Sequence, residues 1–171
     1  MDRDLINRSR QARQTLVSAC VDLLPIDPVL VSDGADPLTV VRQAAAHPAT
    51  RLLGVVDAQG VLVGVLPILR LAETVVARVS PETLLAGLAD LEEAARFGSE
   101  VAARRVSDVM LPPASVTAGD SIDEAFRRMH ARHLSGLYVV DDAGRPTGYL
   151  DLLELTVRYL EALEPDPSTA G

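Results

Sequence analysis

The phrase Val-Val-Asp-x-x-Gly-x-x-x-Gly occurs twice in this chain, and the second occurrence restricts the fold more than any other feature. Residues 50–71 and 134–155 align without a gap. Val55, Val56, Asp57, Gly60, Gly64, Leu69 and Leu71 recur as Val139, Val140, Asp141, Gly144, Gly148, Leu153 and Leu155, at a constant spacing of 84 residues. Upstream, Asp36-Pro37-Leu38 and Asp120-Ser121-Ile122 each open a helical pattern. Such self-similarity means two copies of one supersecondary unit that share a core.

In the later copy, residues 137–140 form a short β-favouring run, stopped by Asp141-Asp142-Ala143-Gly144, and residues 146–150 resume an extended pattern. A hairpin is predicted. Gly144, and Gly60 in the same place of the earlier copy, supply the positive φ that such a turn needs. A helix precedes this hairpin, with Ile122, Ala125, Phe126 and Met129 on one stripe and Asp120 as its N-cap. Another helix follows over about 151–163, with Leu152, Leu155, Tyr159 and Leu163 at helical spacing. The earlier copy gives strand 29–31, helix 37–46, strands 52–56 and 61–66, and helix 68–78. The unit is therefore β-α-β-β-α, twice.

Five segments are predicted. Residues 1–24 hold a lead-in helix, with Leu5, Ala12, Leu16, Ala19, Cys20 and Leu23 in a stripe among Arg3, Arg8, Arg10 and Arg13, ending before Pro25. It either covers the module's flank or contacts a partner. Residues 25–79 form unit 1 and 106–163 form unit 2. Between them, 80–105 form a helical connector. It starts at Ser80-Pro81-Glu82, runs along Leu84, Leu88, Leu91 and Ala95 to Gly98, and restarts at Ser99. That connector is either packed over the module or a docking surface. Residues 164–171 alternate proline and acid and are expected to be disordered.

Charge and composition exclude several roles. With a net charge of −8, 3% aromatics and no tryptophan, the chain is a poor partner for a phosphate backbone or stacked bases, so no nucleic acid is expected. The apolar run 61–69 contains Pro67 and ends at Arg70, short of the roughly twenty residues of a membrane span. A single cysteine, Cys20, and no leader pattern point to a reducing, cytoplasmic setting. No nucleophile with a base, no phosphate-cradling glycine loop and no metal-ligand cluster appears, so an enzyme is not expected and no metal site is assigned. His130 and His133 lie three apart at a helix end without a third ligand nearby, and read as helix-end histidines.

The duplicated hairpin, together with VSDVMLPPASVTAGDSIDEAFRRM at 106–129, resembles a tandem pair of cystathionine-β-synthase (CBS) domains over about 29–160. That resemblance implies an α/β (α+β) fold of two pseudo-symmetric units packed through their sheets, with extra helices at the N-terminus and between the units. It also implies a regulatory, non-catalytic module. The module would form a homodimer, act on another protein, require no cofactor and bind an adenosine derivative such as AMP, ADP, ATP or S-adenosylmethionine.

The family's Gly-h-h-Ser/Thr-x-x-Asp motif sets a hydroxyl and a carboxylate against the ribose. Asp151 and Glu154 stand in those places in the later copy, and Pro67 and Arg70 in the earlier. A carboxylate accepts from both vicinal hydroxyls, whereas Arg70 only donates and Pro67 offers nothing, so the resemblance implies a site mainly in copy two. Asp151 beside Glu154 disfavours polyphosphates unless Arg or Mg²⁺ offsets the charge. Carried over likewise are Thr117 (with Ser32 in copy one) for the base, Tyr138 and Val139 in the hairpin phrase beside it, and Arg132 and His133 for a phosphate. A second outcome stays open, in which Arg70 pairs with Asp151 and Glu154, closes the cleft and leaves a ligand-free scaffold.

Overall fold

The structure, a computed structural model, describes residues 3–21, 26–85, 87 and 89–163. In chain order the elements are α1 (Arg3–Gln14), β1 (Leu30–Ser32), α2 (Pro37–Ala45), β2 (Leu52–Val56), β3 (Leu62–Pro67), α3 (Ile68–Val79), α4 (Pro81–Leu85), α5 (Leu91–Ala102), β4 (Ser115–Thr117), α6 (Ile122–Ala131), β5 (Gly136–Val140), β6 (Pro146–Asp151) and α7 (Leu152–Leu163). The predicted tail, 164–171, lies outside the described residues.

The repeated aspartate and glycine build the two hairpin turns. Asp57 Oδ1 accepts from the backbone of Gln59 and Val61, and Asp141 Oδ1 from that of Ala143 and Arg145, at 2.8–3.0 Å. Gly60 and Gly144 sit at φ 78° and 75°, where a side chain would be strained. Each turn joins an antiparallel pair with the same irregularity, between Val55 and Val56 and between Val139 and Val140. β1 adds to β2 and β4 to β5 in parallel, giving two three-stranded sheets of order β1-β2-β3 and β4-β5-β6.

Strand alternation assigns the faces. Leu137, Leu150 and Val116 pack on Ile122, Ala125 and Met129 of α6 and Leu155 of α7. Leu53, Val55, Leu66 and Val31 pack in the same way on Val40, Ala44 and Leu71. The opposite faces meet: Leu52 and Val65 of the first sheet share one core with Tyr138 and Tyr149 of the second.

Each lead-in segment docks on the other copy. Beyond α1, Val17 N donates to Asp120 O (2.8 Å), Ser18 N to Ala118 O (3.1 Å), and Ile122 N returns to Thr15 O (2.9 Å). In the mirror arrangement Val106 N donates to Ala35 O and Ser107 N to Asp33 O, both at 2.9 Å. α1 lies on α7 and α6, and α5 lies on α3. Neither copy is complete without the segment that leads into its twin.

Local expectations are corrected at three places. α1 ends at Gln14, because the chain must flatten to bond residues 118–122; Leu23 and Pro25 lie outside the described residues. α6 is capped by Ser121, whose side chain accepts from Glu124 N at 3.2 Å, while Asp120 turns back to Thr117. The connector helix runs unbroken through Gly98 and Ser99 from a cap at Asp90, whose carboxylate accepts from Glu93 N at 2.9 Å. That cap sets the helix phase. Leu91 is left 89% exposed, and Phe97, Glu100 and Val101 form the more buried face. Leu88 and the side chain of Leu84 lie outside the described residues.

Candidate ligand site

Asp151 ends β6 and Glu154 stands one turn into α7, so the sheet-to-helix corner brings the two carboxylates together. Asp151 Oδ1 accepts from Leu153 N at 2.8 Å, and Glu154 Oε2 accepts from Asp151 N at 2.9 Å. This resembles a capping box with an acid in both roles, except that the N-cap carboxylate takes the second rather than the third N–H of the helix. Both residues are 1% exposed. One oxygen, Asp151 Oδ2, is buried with no hydrogen-bond partner.

Tyr149 lies two residues before Asp151 and so on the same sheet face. Its hydroxyl rests over Gly136, where a β-carbon would lie 2.1 Å from it, and Gly136 is the residue paired with Asp151 across the ladder. That hydroxyl is also buried and unpartnered. Burial pushes its pKa up, the Asp151 charge adds to the shift and Arg51 opposes it, so the phenol stays protonated. A carboxylate oxygen and a phenol thus share one dry wall, each unpaired at a cost of roughly 1–3 kcal/mol. A vicinal diol has the matching chemistry, donating to one and accepting from the other.

Sequence reasoning passed over Tyr149. The signal was its two-residue alternation with Asp151.

The other candidates fall elsewhere. Tyr138 is fully buried at the junction of the sheets and donates to Val29 O (2.9 Å) and Leu52 O (3.0 Å) of the earlier copy. Val139, on the opposite strand face, is buried in the later copy's core. Thr117 is on the surface, its backbone N–H and hydroxyl both directed to Asp120 Oδ2. Arg132 clamps the carbonyls of Pro113 and Pro112 at 2.7 Å each. His133 is exposed at the end of α6. Arg70 answers the question of an internal ion pair: its Nε donates to Val109 O, and its charge acts on Glu100 of α5. Its guanidinium serves the connector. Of the predicted set, Asp151 and Glu154 are hydrogen-bonded to each other.

Among the described residues no cluster of His, Cys, Asp or Glu could hold a metal, and no helix is long and apolar enough to cross a membrane.

Two interlocked β-α-β-β-α units joined through their sheets, with a polar corner at the last strand, define a paired-domain fold. Residues 106–160 match the family model described as CBS domain. A CBS domain-containing protein from Thermotoga maritima has the same fold, with a TM-score of 0.66 at 22% identity, covering 84% of this chain and 93% of that one. CBSX2 from Arabidopsis thaliana, in complex with AMP, gives 0.62 at 20% identity and 88% and 99% coverage. The CBS domain pair of protein MJ0100, in complex with 5′-methylthioadenosine and S-adenosyl-L-methionine, gives 0.59 at 17% identity and 86% and 97% coverage. No curated protein matches the sequence. The later copy thus matches the CBS-domain family, and the chain as a whole has the fold of a CBS-domain pair.

Proposed function

We propose that this chain is a non-catalytic regulatory module that senses an adenosine-containing ligand, of the AMP, ADP, ATP or S-adenosylmethionine type, at the Asp151 corner of its later copy. The observation that carries the reading is the pair of buried, unpartnered groups there, Asp151 Oδ2 and Tyr149 Oη, which a ribose diol would satisfy. Two proteins of the same fold hold such ligands. In this reading Glu154 supplies the second acceptor once ligand loosens the capping box. Pro67 and Arg70 leave the earlier copy without a ribose acceptor. α7 carries both the corner and the α1 contact, so occupancy is passed to α1 and from there to a regulated protein.

We place the module in the cytoplasm as a homodimer, with Leu153, Val157 and Leu160 presenting an exposed apolar stripe on α7 as the dimer face.

A ligand-free scaffold is the second reading, favoured by the complete burial of Tyr138 between the sheets. A thermal-shift series with AMP, ADP, ATP and S-adenosylmethionine separates the two, since stabilisation grows as RT ln(1 + [L]/Kd). A concentration-dependent rise supports sensing; no rise at millimolar ligand supports the scaffold.

A further inference from the structure

On the helix side of the later copy lies a cavity of about 310 Å³, at the small end of the roughly 300–1,000 Å³ typical of small-molecule sites. Its apolar lining comes from Phe126, Met129, Leu134 and Leu152, and its polar lining from His130, His133 and Ser135. No acid lines it, in a chain whose net charge is −8. It is not the Asp151 corner: Tyr149, Asp151 and Glu154 take no part in its lining, although Ser135 and Leu152 adjoin that corner in sequence.

The way α6 ends makes the cavity more than a gap in packing. Leu134 N bonds Met129 O (2.9 Å) and His133 N bonds His130 O (3.2 Å), a Schellman closure whose apolar contact, Met129 with Leu134, supplies lining. The left-handed position of that closure is ordinarily glycine or asparagine, yet here it is His133, at φ 52°. The chain thus accepts backbone strain that places an imidazole on the cavity. His130, one turn of the same closure away and stacked at 6.1 Å on Phe126, adds a second.

We propose that this cavity is a second ligand site, which takes a small organic monocarboxylate with an apolar body: the carboxylate between His130 and His133, the body against Met129, Leu134 and Leu152.

The test is an NMR titration of the full chain with 3-phenylpropionate, following the histidine imidazole resonances, with the uncharged 3-phenylpropanamide as control. Saturable shifts of His130 and His133 are expected, with the amide roughly tenfold weaker for want of a charge-assisted bond. His133→Gly should bind roughly tenfold more weakly while its Tm stays equal or rises, because glycine relieves the positive φ. His130→Gln should weaken binding with Tm unchanged, and AMP should not displace the probe. The proposal is overturned by an absence of saturable shifts, by equal affinity for acid and amide, by unchanged binding in both variants, or by displacement with AMP.

Discussion

Gly54 and Tyr138 occupy the same position of the two copies and meet at the junction of the sheets: a β-carbon on Gly54 would lie 2.7 Å from Cζ of Tyr138. The earlier copy lacks a side chain where the later one has its largest fully buried residue. The duplicate thereby packs against itself as small against large, and the Tyr138 hydroxyl ends on two carbonyls of its twin.

A double-mutant cycle should find this pair strongly coupled. Gly54→Ala is expected to cost about 1–3 kcal/mol by overpacking in the native background, and under about 1 kcal/mol when Tyr138 is already alanine. Urea unfolding measures both. Additive costs would place the strain somewhere other than between these two residues.

Tyr138→Phe removes only the hydroxyl. It should lower stability by about 1–2 kcal/mol, since two buried carbonyls lose a donor, without altering the sheets' circular dichroism.

Glu100 should make stability depend on pH. Its side chain is 6% exposed, and Arg96 at 4.0 Å only partly offsets its charge. Burial raises its pKa, Glu73 on α3 adds to the shift, and Arg96 and Arg70 oppose it. The folded state therefore holds this proton more tightly than the unfolded one. The stabilisation is fully present below the unfolded pKa of about 4.3 and is lost as pH rises through the higher folded value. Glu100→Gln should accordingly stabilise the protein at pH 7.5, by about 1 kcal/mol, and make little difference near pH 4. Thermal melts at the two pH values check the sign; a variant less stable at pH 7.5 would show that Arg96 and Arg70 outweigh burial.

Removing residues 1–21 should harm the copy that they do not lead into. Hydrogen exchange of the truncated chain is expected to lose protection first in 118–131 and 152–163, where Thr15, Val17 and Ser18 are bonded and α1 is packed, with 37–56 less affected. Protection lost first in 37–56 would contradict the reciprocal docking.

The hairpins were legible in the sequence because each depends on residues only a few positions apart, an aspartate that accepts backbone N–H groups and a glycine at positive φ. The Asp151 and Glu154 pair was legible for the same reason. Less visible was anything fixed by the other copy. Val17 and Val106 reach across to turns more than sixty residues away, and Tyr138 in its local phrase looks as suited to a ligand as to Gly54. The phase of α5 was misjudged because Gly98 resembles a terminator, whereas the cap at Asp90 starts a helix long enough to carry it. Tyr149 and Glu100 were hidden because a buried unpaired atom is a property of packing and leaves no pattern in the chain.

The most direct test of the central claim is isothermal titration of the purified chain with AMP and with S-adenosylmethionine, repeated on Asp151→Asn, Glu154→Gln and Arg70→Gln. The account predicts a single site per chain for at least one ligand, weakened roughly tenfold or more by either change at the Asp151 corner and unaffected by the Arg70 change. Two equal sites per chain, binding that survives at the corner but fails with Arg70, or no heat with either ligand would contradict it.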